Sequence, residues 1–256
     1  MTLPKWWDSK IPWKVGDCFS GMKLIPDESV DAIVTDPPFG IGFKYGKSSF
    51  KDKNCPKLYW EWLKPRYDEM LRVLKPGGFF AIWQTQLYFK YFWDWFGEDV
   101  HIYSACKNFV QLKKTPINYA YDPVVMFYKK GASGSSDATG SSATGSSDAA
   151  GSSDAEPLCP KKPQRNVDFF VANLVAETDN PARRHPCPRP IDQVTEIVRN
   201  FTVENALVLD PFLGYGSTLV ACKSAGRTGI GFELDKNYVS IIKERFKSSK
   251  DIEGWK

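Results

Sequence analysis

Residues 206–235 constrain the fold more than any other part of the chain. They have the pattern of a strand, a glycine turn, a helix and a second strand that ends in an acid, Glu233. Gly214 and Gly216 lie in the turn, where glycine permits a sharp bend and a close approach of backbone to ligand. Because a helical crossover joins parallel strands, this stretch predicts an α/β fold.

The rest of the chain alternates strand and helix patterns in the same way. Strands are predicted over residues 13–15, 30–35, 79–83, 101–106, 124–128, 206–209 and 228–232, and helices over residues 59–74, 87–96, 191–201, 219–225 and 237–246. Apolar strands that alternate with amphipathic helices are typical of a sheet buried on both faces. We therefore expect a mostly parallel twisted sheet with helices on both faces.

Residues 131–157 interrupt this alternation with near-repeats of Gly-Ser-Ser-Asp-Ala. Such a composition cannot bury a core, so we predict a flexible low-complexity linker. Its regularity suggests an engineered replacement of a natural loop, and a natural low-complexity loop is the alternative. The linker separates residues 1–130 from residues 158–256, which we expect to be two halves of one domain.

A second constraint is the tetrapeptide Asp36-Pro37-Pro38-Phe39, which follows the apolar run of residues 30–35. Two consecutive prolines supply no backbone N–H and fix φ, so the strand must end there. The result is a rigid corner that carries a carboxylate, an aromatic ring and backbone carbonyls. Open α/β sheets bind ligands at the carboxyl ends of their strands, so this corner is a candidate part of a site.

The glycine turn also indicates the kind of ligand. Ser217 or Thr218 can cap the following helix, whose N-terminus would face the ligand. Glu233 follows Gly214 by about the 20 residues at which an acid binds ribose hydroxyls. The phosphate-binding pattern Gly-x-Gly-x-x-Gly is incomplete, because Leu219 occupies its third glycine position. The pattern therefore predicts an adenosine-containing cofactor without phosphates rather than a dinucleotide.

Together the two motifs resemble those of the S-adenosylmethionine-dependent DNA amino-methyltransferases. The tetrapeptide 36–39 is similar to the catalytic motif of that family, and residues 210–218 are similar to its cofactor motif. The catalytic motif comes first here, which matches the circularly permuted, beta-type motif order. The resemblance covers nearly the whole chain except the N-terminal lead-in and residues 131–165, and it implies a Rossmann-like methyltransferase fold.

The resemblance implies further cofactor contacts. Residues 185–190, His-Pro-Cys-Pro-Arg-Pro, are similar to a His-Pro-x-x-Lys-Pro segment that closes over the methionine part of the cofactor, with arginine here replacing the lysine. Gly16-Asp17 resembles the acid that meets the adenine, and its strand would lie beside the strand of Glu233 in a continuous sheet. The candidate cofactor-binding residues are Asp17, Cys18, Asp36, His185, Arg189, Asp210, Pro211, Phe212, Gly214, Gly216, Ser217, Thr218 and Glu233.

The tetrapeptide would carry the chemistry, so Asp36, Pro37, Pro38 and Phe39 are the candidate catalytic residues. An exocyclic amino group is a poor nucleophile, because its lone pair is delocalised into the base. Hydrogen bonds to the Asp36 carboxylate and the Pro37 carbonyl would direct that lone pair, so positioning and electrostatics do most of the work. A base inside a duplex must be flipped out to reach the corner, where Phe39 would stack on it.

Basic and aromatic segments suit contacts with a nucleic acid, and the resemblance implies that this partner is double-stranded DNA. The loop of residues 43–57 holds five lysines and three aromatic rings, which suit phosphates and exposed bases; the alternative is a solvated loop. The resemblance places a recognition region near residues 107–183. The candidate DNA-binding residues are Lys44, Tyr45, Lys47, Lys51, Lys113, Lys114, Arg183 and Arg184.

The resemblance implies a site-specific DNA adenine-N6 methyltransferase that uses S-adenosylmethionine. Adenine is favoured because an aspartate opens the tetrapeptide, whereas serine is typical of the family's cytosine-N4 enzymes. Cytosine-N4 methylation is the first alternative, and a DNA-binding regulator that has lost turnover is an alternative of another class. RNA as substrate is a fourth interpretation. A homodimer and a cognate restriction endonuclease are further candidate partners.

Other classes of protein are disfavoured. No apolar stretch is long enough to span a membrane, and the N-terminus lacks a signal-peptide core, so we expect a cytoplasmic protein with no membrane partner. The six cysteines and two histidines show no metal-ligand spacing, so we expect free thiols and no metal site.

Overall fold

The computed structural model describes most of the chain. The described residues are 2–43, 52, 55–96, 99–107, 121–130, 169–172 and 189–249. The predicted linker over residues 131–157 lies outside them, so the linker and the division into two halves stay predictions. Nine candidate site residues also lie outside, namely Lys44, Tyr45, Lys47, Lys51, Lys113, Lys114, Arg183, Arg184 and His185.

Eight strands form one sheet in the described part of the chain. They are β1 (Trp13–Val15), β2 (Val30–Thr35), β3 (Leu74–Trp83), β4 (His101–Lys107), β5 (Tyr121–Tyr128), β6 (Phe169–Ala172), β7 (Leu207–Asp210) and β8 (Thr228–Glu233). Their spatial order is β1-β8-β7-β2-β3-β5-β4-β6. The first five strands in this spatial order, from β1 to β3, are mutually parallel. β5 pairs antiparallel with both β3 and β4. The prediction of a mostly parallel sheet is therefore confirmed.

Helices cover both faces of this sheet, as predicted. The α-helices of the described residues are α1 (Cys18–Met22), α2 (Pro56–Val73), α3 (Phe89–Phe96), α4 (Ile191–Phe201), α5 (Ser217–Ser224) and α6 (Val239–Ser248). Successive strand residues point to opposite faces. Ile33 of β2 shares a core with α1, α2 and α3, whereas Ala32 and Val34 share a core with α4 and α5. Burial on both faces explains why the strands are apolar throughout.

The junction between α2 and β3 differs from the sequence prediction. The helix ends at Val73, one residue before the predicted end at Leu74, and β3 begins at Leu74, five residues before the predicted strand start at Phe79. Gly77 N–H donates to the Lys129 carbonyl at 2.7 Å, and Lys129 N–H donates to the Gly78 carbonyl at 2.9 Å. These bonds hold residues 74–78 beside the end of β5, so the segment is an irregular part of β3. The contact is long-range, and the local turn residues therefore do not predict it.

The first and last strands of the chain are neighbours in the sheet. Trp13 of β1 lies opposite Gly231 of β8, and Gly16 N–H donates to the Glu233 carbonyl at 2.8 Å. Asp17, the next residue, is thereby brought to the same sheet edge as Glu233. The adjacency predicted from the permuted motif order is confirmed.

Arg227 is a buried guanidinium that joins α4 to the start of β8. Its Nε donates to Thr202 Oγ1 at 3.1 Å, and its Nη2 donates to the carbonyls of Thr202 at 2.6 Å and Arg199 at 3.2 Å. Its Nη1 donates to the Ala225 carbonyl. One side chain thus satisfies several backbone oxygens at the ends of two helices.

Arg227→Met is expected to lower the free energy of unfolding by about 3 kcal/mol, because each buried acceptor left without a donor costs about 1–3 kcal/mol. Urea unfolding followed by circular dichroism measures the change. Lys236→Met, at an exposed position, is the control and should stay within about 0.5 kcal/mol of wild type. Equal stability of both variants would contradict the assigned role of Arg227.

Candidate active site

The carboxyl ends of β1, β8, β7 and β2 surround a pocket of about 190 Å³. It brings together most of the candidate residues from both halves of the chain. The candidates that line it are Asp17, Cys18, Asp36, Pro37, Pro38, Phe39, Arg189, Asp210, Pro211, Phe212, Gly214, Ser217, Thr218 and Glu233. Gly216 is a candidate that does not line it. The catalytic corner and the glycine turn therefore face one common space.

The glycine turn adopts the predicted backbone but not the predicted capping. Gly214 and Gly216 have φ values of 54° and 84°, in the left-handed region that favours glycine. Gly216 itself is the N-cap of α5, and no side chain caps that helix, so the predicted capping by Ser217 or Thr218 is wrong. Ser217 Oγ instead donates to the Arg189 carbonyl at 3.1 Å.

Two buried carboxylates stand beside the turn. Burial raises the pKa of Asp210 to about 6, although Thr35 Oγ1 donates to it at 2.6 Å. Burial raises the pKa of Glu233 to about 7, although the backbone N–H groups of Asp235 and Gly214 donate to it. Buried acids with raised pKa values in a pocket are typical of functional sites, because their charge is costly until a ligand compensates for it.

Asp17 is fixed at the pocket edge by two partners. Its Oδ2 accepts a hydrogen bond from Ser20 N–H at 3.1 Å and caps α1, and its Oδ1 accepts one from Arg66 Nη2 at 3.0 Å. Although burial opposes the effect, these donors hold the pKa of Asp17 below its ordinary value. The Arg66 guanidinium lies 4.4 Å from the ring centroid of Trp62, which lines the pocket. Sequence reasoning missed both residues, because helical spacing alone assigned this stretch to the core.

The catalytic corner is held from behind by a buried hydrogen-bond chain. Tyr59 Oη donates to the Pro38 carbonyl, and Gln84 Nε2 donates to Tyr59 Oη at 3.0 Å. The Tyr59 and Gln84 side chains are fully buried. Gly40, with φ of 67°, then packs its backbone directly against the rings of Tyr59 and Tyr88. The corner is therefore a fixed surface and not a free turn.

Asp52 binds the backbone that directly follows the tetrapeptide. Its Oδ1 accepts a hydrogen bond from Gly40 N–H at 2.9 Å, and its Oδ2 accepts from the N–H groups of Ile41 at 2.9 Å and Phe43 at 3.1 Å. Several backbone N–H groups that converge on one anion form a nest. An internal carboxylate thus holds the backbone of residues 40–43, a role that no sequence motif indicated.

Asp36 forms a two-point ion pair with Arg189. Arg189 Nε donates to Asp36 Oδ2 at 2.6 Å, and Arg189 Nη2 donates to Asp36 Oδ1 at 3.1 Å. The guanidinium carbon also lies 5.3 Å from the ring centroid of Phe39. An ionised carboxylate offers about four lone-pair sites, so this pairing is compatible with a further hydrogen bond from a substrate amino group.

The described ranges contain neither a metal-binding cluster nor a membrane-spanning helix. There, no group of three or more histidine, cysteine, aspartate or glutamate side chains could hold a metal ion. Among the helices of the same ranges, none has both the length and the apolar character that crossing a membrane requires. Cys18, Cys55, Cys106 and Cys222 are free thiols.

Comparison with known sequences points to one family. The model of the N6/N4 family, described as DNA methylase, matches residues 30–244. YubD of Escherichia coli K12, described as a methylase, is 29% identical over 87% of this chain and 84% of its own length. The type II methyltransferase M.BamHI of Bacillus amyloliquefaciens is 28% identical over 91% of this chain and 56% of its own length. The DNA adenine methyltransferase YhdJ of E. coli K12 is 30% identical over 88% of this chain and 79% of its own length.

Comparison with solved structures shows the same fold. The alignment with the structure of the M1.HpyAVI–S-adenosylmethionine complex covers 91% of this chain and 97% of that chain, with a TM-score of 0.59 and 20% identity. The alignment with the PvuII DNA methyltransferase, which is named as cytosine-N4-specific, covers 91% of this chain and 85% of that chain, with a TM-score of 0.66 and 17% identity. At these identities the likeness extends to the architecture of the sheet and its helices.

Proposed function

This chain belongs to the N6/N4 family of DNA methylases, and we propose that it transfers a methyl group from S-adenosylmethionine to the N6 amino group of adenine in double-stranded DNA. The observation that carries the choice of adenine is Asp36 at the head of the tetrapeptide, on the pocket wall. The 30% identity to YhdJ, which is named a DNA adenine methyltransferase, supports the same choice.

The pocket residues fit this cofactor. Apolar side chains such as Trp62, Phe212 and Phe232 offer flat surfaces for a purine, and the carboxylates of Asp17 and Glu233 can accept hydrogen bonds from amino and hydroxyl groups. The negative charge of the pocket suits a cationic ligand. When bound, S-adenosylmethionine supplies an activated methyl group on a positively charged sulfur.

Asp36 and Pro37 act on the target amino group. Their carboxylate and carbonyl accept its two N–H bonds, which directs the nitrogen lone pair away from the base and towards the methyl donor. Asp36 is also the nearest group to take the proton that this nitrogen loses. The hydrogen bond from Tyr59 to the adjoining Pro38 carbonyl keeps these acceptors fixed, so little reorganisation is needed during the reaction.

Phe39 forms the stacking surface for the target base. The base must leave the duplex to reach the pocket, because the chemistry cannot occur inside the stack. Phe39 lines the pocket beside the Arg189 guanidinium, so one face of its ring is already supported by the protein. Stacking on an aromatic side chain contributes about 1–3 kcal/mol per base, which offsets part of the cost of flipping.

Cofactor affinity is expected to rise with pH because of Glu233. Its pKa is raised to about 7, and the ionised form accepts hydrogen bonds from the two ribose hydroxyls more strongly than the protonated form does. The group is mostly protonated at about pH 6 and mostly ionised at about pH 8, so the dissociation constant should fall by about tenfold over that range. Isothermal titration calorimetry with S-adenosylmethionine measures the trend.

Glu233→Gln is the matched control for this pH dependence. The amide keeps the size of the side chain and removes its titration, so the variant should bind more weakly and with a flatter pH profile. A pH dependence as steep as that of the wild-type protein would show that another group controls binding.

The proposed function is tested by transfer of labelled methyl groups to double-stranded DNA, with RNA of the same sequence as the competing substrate. Label in DNA alone supports the proposal. Label in RNA alone contradicts the choice of DNA, and cofactor binding without transfer to any substrate supports the inactive-regulator alternative. Because M.BamHI is named a type II methyltransferase, a cognate restriction endonuclease is proposed as a partner; the homodimer stays a prediction.

A further inference from the structure

Arg189 lies between two carboxylates, and only one of them belongs to the catalytic corner. Its Nε and Nη2 donate to Asp36, and its Nη1 donates to Asp122 Oδ2. Asp122 belongs to β5, and neither the corner nor the glycine turn contains it. The side chains of Arg189, Asp36 and Asp122 are 13%, 24% and 22% exposed, so all three are largely removed from solvent.

Arg189 is also fixed at its backbone and along its guanidinium. The Arg189 carbonyl accepts hydrogen bonds from Tyr215 Oη at 2.7 Å and Ser217 Oγ at 3.1 Å. Its guanidinium carbon lies 5.3 Å from the ring centroid of Phe39 and 5.8 Å from that of Trp83. Arg189 therefore connects the glycine turn, the catalytic corner and β5.

Asp122 reaches the corner through its ion pair with Arg189. It does not line the pocket, whereas Asp36 and Arg189 do. In β5 it lies opposite Ala105 of β4, two residues before Val124, where the pairing of β5 with β3 begins. Asp122 therefore lies outside the surface that a bound base or cofactor would contact.

We propose, on the basis of the proposed function, that Asp122 is a positioning residue for methyl transfer that acts through Arg189. The first effect is orientation. An arginine side chain has many rotamers, and a second charged partner restricts it to one arrangement. With its guanidinium fixed at both ends, Arg189 presents Asp36 in one orientation.

The second effect is the charge at the corner. Arg189 alone would neutralise Asp36, whereas the three side chains together carry one net negative charge. During transfer, positive charge moves from the donor sulfur to the amino nitrogen, so a net negative corner stabilises the transition state. Asp122 thus allows Arg189 to orient Asp36 without cancelling its charge.

Asp122→Asn keeps the shape of the side chain and removes its charge. It is expected to lower kcat by about 10- to 100-fold, as small displacements at a reacting centre do, with the KM for S-adenosylmethionine within about threefold of wild type. Asp122→Glu should restore most of the rate. Asp31→Asn is the matched control, since Asp31 is a strand residue that is 17% exposed and pairs with Lys75 at the opposite end of the sheet. It should leave kcat unchanged.

A double-mutant cycle with Arg189→Met separates positioning from a general structural effect. If Asp122 acts through Arg189, Asp122→Asn should lower kcat by less than about twofold in the Arg189→Met background, because the side chain through which Asp122 acts is already missing. The same loss in both backgrounds, no loss in wild type, or an equal loss in Asp31→Asn overturns the proposal.

The turnover of the wild-type protein in the same series tests the proposed function separately. If no substrate is methylated, the proposed function fails and the cycle is measured on the free energy of unfolding of the same four proteins. Additive effects of Asp122→Asn and Arg189→Met would then overturn the assigned coupling. A coupling between them would retain the positioning of Arg189 by Asp122.

Discussion

Asp36→Ala is expected to lower the rate of methyl transfer by about 10³-fold or more, a loss at the upper end of those that follow removal of one preorganised electrostatic contact. The substitution removes the acceptor that directs the target amino group. It also leaves the Arg189 guanidinium paired with Asp122, so the net negative charge that stabilises the transition state is lost. Both effects act on the chemical step.

Cofactor binding should survive this change within about tenfold, because Asp17, Glu233 and the glycine turn supply most of the proposed contacts. The rate is measured by incorporation of labelled methyl groups, and the affinity by calorimetry with the demethylated product. Circular dichroism checks that the protein is folded. A variant that keeps full activity would show that Asp36 does not act on the amino group, and a variant that loses only cofactor affinity would move Asp36 to the cofactor site.

Gly40→Ala is expected to lower the rate by about 100-fold, since it displaces the corner without touching a reacting group. A Cβ atom at this position would lie 2.4 Å from the Tyr59 ring and 2.6 Å from Tyr88 Oη, and both rings are fully buried. A packed interior cannot move such rings aside at small cost. The φ of 67° adds about 1–2 kcal/mol of strain for a residue with a side chain.

The effect of Gly40→Ala should be local, so its cofactor affinity is the internal control. The glycine turn lies on the other half of the chain, and calorimetry should give an affinity close to that of wild type. A rate close to that of wild type would show that the corner is not held rigidly by Tyr59. An equal loss of rate and cofactor affinity would show that Gly40 supports the whole pocket and not the corner alone.

The sequence was sufficient to predict the elements whose signals are local. The helix from residue 191 to residue 201 has the predicted bounds, because its apolar face repeats with helical spacing and Pro190 precedes it. The pairing of β1 with β8 was also predictable, since the permuted motif order leaves the two strand ends to complete one nucleoside pocket.

The supports of the site were not predictable, because their partners lie far apart in the chain. Asp122 lies 67 positions from Arg189, and Tyr59 lies 21 positions from Pro38. Neither residue belongs to a motif, and each has the pattern of an ordinary strand or helix residue. The hydroxyls of Ser217 and Thr218 failed as caps for the same reason, since Arg189 and Asp210 are partners that only the folded chain supplies.

The identity of the methylated nucleoside tests both the proposed function and the role of Asp36. The wild-type protein is incubated with labelled S-adenosylmethionine and double-stranded DNA, the DNA is digested to nucleosides, and the labelled product is identified by mass spectrometry. The expected product is N6-methyladenine, which should be absent when Asp36→Ala is used. N4-methylcytosine as the labelled product would contradict the choice of adenine, and N6-methyladenine formed equally well by Asp36→Ala would contradict the role of Asp36.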